Sequence, residues 1–188
     1  MLTPAHTRFT LDEYIAFEEQ SREKHEWLYG TVYAMTGGTR EHAAGAAALI
    51  TQLGPQLRGK RCGAHTSDLR IATPSGLITY PDVTVVCAPV EYHPKATNTV
   101  LNPVLIAEVL SPSTEDYDRG EKFEHYKSIP SLAEYLLVDP RHGLFERFWR
   151  TEVGWGHASL REATITLGLG AQIDVTLLFQ DVHNLEEL

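Results

Sequence analysis

The chain has little cysteine. Cys62 and Cys87 stand alone, with no C-x-x-C and no evenly spaced framework. This excludes a thiolate metal site and predicts two reduced thiols in a cytoplasmic protein. The histidines are scattered without zinc-ligand spacing. No G-x-x-x-x-G-K-[ST] loop is present, and Gly37-Gly38 is too short to cradle a phosphate. Ser111 and Ser113 lack a G-x-S-x-G elbow, so helix capping is their expected role. Long apolar runs are also missing. The longest, near residues 43–50 and 104–110, are far shorter than a membrane span, and residues 1–10 lack the apolar segment of a signal peptide. No membrane association is therefore expected. Basic charge is scarce too: the formal net charge is −9, and the nearest approach to a cluster is Arg58-Gly59-Lys60-Arg61 with Arg70 beyond, then Arg147 and Arg150. A large phosphate-tracking surface is disfavoured, unless bound metal ions supply the positive charge.

What is present is an ordinary globular composition in 188 residues, enough for one domain with a proper core. The expected core covers about residues 10–150, followed by a β extension over about 151–188. Thr10 with Glu13 is a capping-box pattern and predicts a helix over 10–26. Residues 27–35 read as two short strands around Tyr29-Gly30. Thr39 is placed to cap a helix over 41–53, whose stripe of Ala46, Leu49, Ile50 and Leu53 faces the core; Gly54-Pro55 is expected to end it. Strands follow at 62–71, 79–87 and 104–110, the first two as a hairpin around Pro74-Ser75-Gly76. A helix at 115–128 and a strand at 131–138 come next. Segments 144–149, 155–160 and 165–175 alternate like edge or hairpin strands. Together these predict an α/β fold with a mixed sheet flanked by helices and extra C-terminal strands. Phe148, Trp149 and Trp155 are expected in the core or at an interface. Leu177, Leu178 and Phe179 are expected on exposed strands, where they could serve a dimer.

Two acids sit where acids are expensive. Asp82 follows Pro81 at the head of Val83-Thr84-Val85-Val86, on the strand face of Thr84 and Val86. Glu108 lies between Ile106-Ala107 and Val109-Leu110. A carboxylate in such a run must replace lost hydration with a partner, most economically a cation. A turn amide for Asp82 and a salt bridge for Glu108 are the bland alternatives. Taken as a pair, they offer the oxygens that a hard divalent cation wants. Lys122 shares a helical stripe with Tyr126 and Ile129, so it leans toward the packed side, where an ammonium needs a carboxylate or phosphate. Two carboxylates and a lysine are the inventory for holding Mg²⁺ or Mn²⁺ and hydrolysing a phosphodiester. His42 falls on the inward face of its helix and Glu41 does not. His42 is either a site residue or a satisfied core histidine.

These residues fall in an ordered series. It runs through His25-Glu26-x-Leu28-x-Gly30, His42 opening a helix, Ser67-Asp68-Leu69-Arg70, and Tyr80-Pro81-Asp82-Val83. It continues with Glu108-Val109-Leu110-Ser111-Pro112-Ser113-Thr114, Asp118-Arg119-x-x-Lys122-x-x-x-Tyr126, and Glu134-Tyr135-x-x-Val138-Asp139. The series resembles the bacterial Uma-type restriction-endonuclease family of the PD-(D/E)XK nuclease superfamily, over roughly residues 10–150. The resemblance implies a restriction-endonuclease-like fold and Mg²⁺-dependent (or Mn²⁺-dependent) hydrolysis of DNA, with a homodimer favoured for cutting both strands. It implies metal binding by Asp82 and Glu108, and catalytic roles for Asp82, Glu108, Lys122, Glu26 and His42. The superfamily's Glu-x-Lys lysine would be at position 110, which is Leu110 here; the resemblance implies that Lys122 takes that role. Glu26 ranks above Glu41 as the upstream acid, and Asp68 is a further candidate, with a structural turn or salt-bridge role as its equal alternative. The rival expectations are a non-catalytic binding or assembly protein on the same fold, and a metal-dependent hydrolase of smaller phosphate esters.

Overall fold

The computed structural model describes residues 8–35 and 37–183. The expectations for the N-terminal leader and for the end of the C-terminal extension partly concern residues 1–7 and 184–188, outside the described residues. Helix α1 (Leu11–Glu18) starts with the expected capping box between Thr10 and Glu13. It stops well short of residue 26 because Glu18 turns back onto the start of the first strand. The Glu18 carboxylate accepts from the His25 backbone N–H (3.0 Å) and meets His25 Nδ1 (2.9 Å), which starts β1 (His25–Leu28). β1 pairs antiparallel with β2 (Thr31–Ala34) across Tyr29-Gly30, both at positive φ.

Helix α2 (Arg40–Leu57) is capped by Thr39 as expected, but it runs through Gly54-Pro55. Burial of Leu53 and Leu57 holds the last turn. The Gln52 and Gln56 side chains also pin it by donating to the carbonyls of Asp174 and Gln172.

The strands expected at 62–71 and 79–87 are each split in two: β3 (Cys62–Thr66) and β4 (Arg70–Ala72), then β5 (Leu77–Thr79) and β6 (Val83–Cys87). The hairpin is real, with β4 antiparallel to β5 and β3 antiparallel to β6, but it bends from one sheet into another. The bend falls at Ser67-Asp68-Leu69 on one arm and Tyr80-Pro81-Asp82 on the other, where Pro81 cannot donate to a ladder. The β3–β6 register sets Cys62 opposite Cys87, and the two form a disulfide, which corrects the expectation of reduced thiols.

After β7 (Tyr92–His93), β8 (Ala96–Val100) and β9 (Pro103–Val109), the expected helix at 115–128 is broken at Gly120 into α3 (Glu115–Arg119) and α4 (Glu121–Lys127). Thr114 precedes α3 without a side-chain capping bond. Ser111 and Ser113 bond within their own turn instead of capping a helix. β10 (Glu134–Asp139), β11 (Leu144–Thr151), β12 (Gly154–Leu160), β13 (Thr164–Thr166) and β14 (Gln172–Asp174) follow. The described chain ends in helix α5 (Val175–His183), not a strand. Leu178 and Phe179 are buried against α2 and are unavailable as an exposed dimer surface; Leu177 alone of the three is exposed. A period-2 reading missed the 3.6-residue spacing of Val175, Leu178, Phe179 and Val182.

Two six-stranded mixed sheets result, ordered β2-β1-β5-β4-β8-β7 and β12-β11-β10-β9-β6-β3, beside the small β13–β14 pair. In the second sheet β9 lies parallel to β10 and antiparallel to β6. One face of this sheet, including Val83, Val85, Ala107 and Val109, packs on α2 and α5. The other, including Val86, Ile106 and Leu110, packs on α4 together with Ile71 and Leu77 of the first sheet. The far side of the first sheet covers α1. Among the described residues, no helix is long and apolar enough to cross a membrane.

Candidate active site

The central strands β6 and β9 bring Asp82 and Glu108 together. Val83 pairs with Ala107, so each acid reaches the neighbouring strand's backbone. Asp82 N–H donates to Glu108 Oε2 (3.1 Å), and Val109 N–H donates to Asp82 Oδ2 (2.8 Å). This reciprocal clamp fixes both carboxylates where the strands start to diverge. Glu108 shares its face with Ile106 and Leu110, which carries it into the buried layer beneath α4. There Tyr126 OH donates to Glu108 Oε1 at 2.6 Å.

Lys122 is at the centre of the cluster, 6% exposed, as its inward stripe with Tyr126 and Ile129 required. Its Nζ lies 3.1 Å from Glu108 Oε1, 3.2 Å from Glu26 Oε1 and 3.4 Å from Asp118 Oδ1. Glu26 arrives from β1 and also accepts from the Thr79 hydroxyl on β5, so both sheets contribute. His42, in the first turn of α2, places Nε2 3.0 Å from Asp82 Oδ2. Two close approaches set that contact. A Cβ on Gly45 would stand 3.0 Å from Val109 Cγ1, so the glycine lets α2 lie directly on β9. A Cβ on Gly38 would stand 2.6 Å from His42 Nδ1, so this glycine leaves room for the ring.

The electrostatics follow from burial. Removal from water pushes Glu108 well above the usual carboxylate range, against the pull of Lys122, and it raises Asp118 likewise. Burial also works against the Lys122 ammonium, but Glu108 and the other carboxylates outweigh it and hold the pKa well above normal. The hydrogen bond to Asp82 raises the His42 imidazole.

All five expected site residues, Asp82, Glu108, Lys122, Glu26 and His42, line one cleft of about 430 Å³. Glu41 pairs with Arg40 and is off the cleft wall. Asp68 is not brought in. It is exposed at the sheet-to-sheet bend and pairs with Lys24 at 2.6 Å. Asp118 and Tyr126 also take part; both stand in the ordered series, and Tyr126 on the Lys122 stripe, but the sequence assigns neither a role in the site. Asp118 was detectable from its i, i+4 spacing with Lys122. Tyr126 carries the same signal one turn further on.

A family model described as "putative restriction endonuclease", Uma2, matches residues 11–182. The chain belongs to the Uma2 family. Two uncharacterised proteins of Synechocystis sp. are similar to it. One, slr1290, is 39% identical over 170 residues, spanning 87% of this chain and 88% of its own length. The other, sll1609, is 35% identical over 141 residues, spanning 74% and 80%. A solved structure, titled as a putative nuclease belonging to DUF820 from Anabaena variabilis, superposes with a TM-score of 0.75 at 17% identity. It covers 93% of this chain and 99% of that one, and shows that the Uma2 chain has a restriction-endonuclease-like α/β architecture.

The donor set suits a hard divalent cation. Glu26, Asp82, Glu108 and Asp118 face one fixed ammonium and one titratable imidazole, so when all are ionised the buried cluster carries excess negative charge. Each carboxylate has about four acceptor positions, and the donors set against Asp82 are His42 and Val109 N–H. Among the described residues, no three His, Cys, Asp or Glu side chains are already arranged to hold a metal. Lys122 draws three of the four carboxylates to itself, so metal entry would require them to turn.

Proposed function

We propose that this Uma2 protein is a divalent-cation-dependent endonuclease of the PD-(D/E)XK type that hydrolyses DNA phosphodiester bonds. The observation that carries the reading is the clamped pair Asp82 and Glu108, with a buried lysine 3.1 Å from the glutamate. Asp82 and Glu108 would hold Mg²⁺ or Mn²⁺, with Asp118 within reach through the shared lysine. The cation, when bound, would polarise the phosphate and lower the pKa of the attacking water. Hydrolysis forms a bond from water oxygen to phosphorus and breaks the bond to the leaving sugar oxygen. One proton leaves the water and one reaches the leaving oxygen.

The chain's own residues fix the geometry of that exchange. His42 holds Asp82 in one orientation, and Tyr126 does the same for Glu108. Lys122, once its carboxylates turn toward the cation, is free to offset negative charge building on the phosphoryl oxygens. Its place on α4, rather than two residues after Glu108, would bring the ammonium to the glutamate by another route, and the 3.1 Å contact between them supports this reading.

The test is a calorimetric titration of Mg²⁺ or Mn²⁺ into wild type and the Asp82→Asn/Glu108→Gln double variant. Saturable binding lost in the double variant supports the reading. Absence of binding in wild type contradicts it and favours a fold retained for partner recognition.

A further inference from the structure

The cleft that contains the acid cluster is poor in free positive charge and has an exposed aromatic on its wall. Among the described residues lining it, the basic side chains are Lys122 and His42, and both are committed to carboxylates. A duplex held by phosphate contacts needs several exposed Lys or Arg along its path. The wall offers a ring instead. Tyr33 on β2 pairs in register with Glu26 on β1, and residues directly opposite in an antiparallel pair project to the same face. Tyr33 is therefore beside the carboxylate that touches Lys122, at the mouth of the same cleft and 51% exposed. Among the described residues its ring stacks on no other aromatic, unlike Phe123, Tyr135 and Phe148, which pack on one another. Met35, Gly37, Gly38 and Thr39 continue the same wall with small or apolar surface. The cleft volume of about 430 Å³ falls within the range of small-molecule sites, enough to receive an unstacked base at its mouth.

We infer that Tyr33 is a stacking platform and that the substrate is a single-stranded DNA segment, with an unstacked base resting on this ring. The inference rests on the nuclease reading for its substrate class and adds the strand form and the residue that selects it. Base–aromatic stacking adds sequence-tolerant affinity beside the phosphate contacts, so a strand resting on a ring leans less on basic residues than a duplex held by its phosphates.

The test measures binding rather than cleavage, on the Asp82→Asn background, with a fluorescent single-stranded oligonucleotide, the matching duplex, and the same strand carrying abasic positions. Tyr33 is exposed on an outer strand, and thermal melting checks that each variant is folded. Tyr33→Ala is expected to weaken single-strand binding by about 5- to 150-fold. Tyr33→Phe should retain it, and the abasic penalty should shrink in Tyr33→Ala. Unchanged binding in Tyr33→Ala, equal loss in Tyr33→Phe, or a preference for duplex overturns the inference. The two readings separate cleanly. Single-strand binding that depends on Tyr33 without any cleavage by wild type removes the nuclease reading alone. Cleavage with binding indifferent to Tyr33 removes this one alone.

Discussion

Replacing Lys122 with methionine perturbs the cluster most sharply, because the side chain keeps its shape and loses only the charge. Three carboxylates within 3.4 Å of Nζ would then share a buried site with no cation. Removing one partner of a buried ion pair costs about 3–5 kcal/mol, because the other charge is left uncompensated. For a chain of this size that is a fall in Tm of about 6–20 °C. The loss should depend on pH. Glu108 and Asp118 already have raised folded-state values through burial, and losing the ammonium raises them further. A carboxyl raised in the folded state stabilises below its unfolded value and loses that contribution as pH rises through the folded one. The variant should thus be closest to wild type near pH 5 and furthest from it near pH 8. Urea unfolding at both pH values measures this. A loss below about 1 kcal/mol, or one that is the same at both pH values, would refute the buried-charge account.

Glu108→Gln keeps an acceptor for Tyr126 OH and removes an acid that burial disfavours. It should unfold at the same urea concentration as wild type or higher while losing metal binding; a clear loss of stability would show that Glu108 is structural. The His42 imidazole should titrate above its ordinary value of 6.5 by proton NMR and return toward it in Asp82→Asn. The stability it adds is complete below about pH 6.5 and disappears as pH rises through the elevated folded value. Gly38→Ala should also weaken the His42–Asp82 contact by crowding the ring, seen as a lower His42 pKa. Alkylation of unfolded, unreduced protein should label neither cysteine, and prior reduction should expose Cys62 and Cys87 together.

The α/β fold class and the gathering of the five candidate residues in one cleft were both legible in the sequence, while the element boundaries were less so. Burying Asp82 and Glu108 in β-branched runs is costly enough that a shared purpose could be inferred from type and position alone. The helical stripe then turned Lys122 toward them. For Asp68 the sequence leaves a site role and a salt bridge equally open, because spacing does not show that the strand at 62–71 bends between sheets there; the pairing with Lys24 bears out the salt bridge. The extent of α2 was missed because propensity places a stop at Gly54-Pro55, whereas tertiary burial of Leu53 and Leu57 with the glutamine contacts of Gln52 and Gln56 outweighs it. The disulfide was missed because pairing of Cys62 with Cys87 follows from the β3–β6 register, a long-range fact. In the C-terminal segment β14 runs directly into α5, and Asp174, whose carboxylate accepts from Leu177 N–H at the helix start, reads in the sequence as one more residue of an alternating strand.

The central claim is that Asp82 and Glu108 form the centre of a nuclease, and cutting circular DNA, supplied both single-stranded and as supercoiled duplex, tests it most directly, since only an endonuclease can open either circle. Wild type, Asp82→Asn, Glu108→Gln and Asp68→Asn would be compared in Mg²⁺ and Mn²⁺, the last as an acid outside the cluster. The account predicts cleavage by wild type and Asp68→Asn, and none by the other two. Equal cutting by all four, or none by a wild type that binds metal, would contradict it.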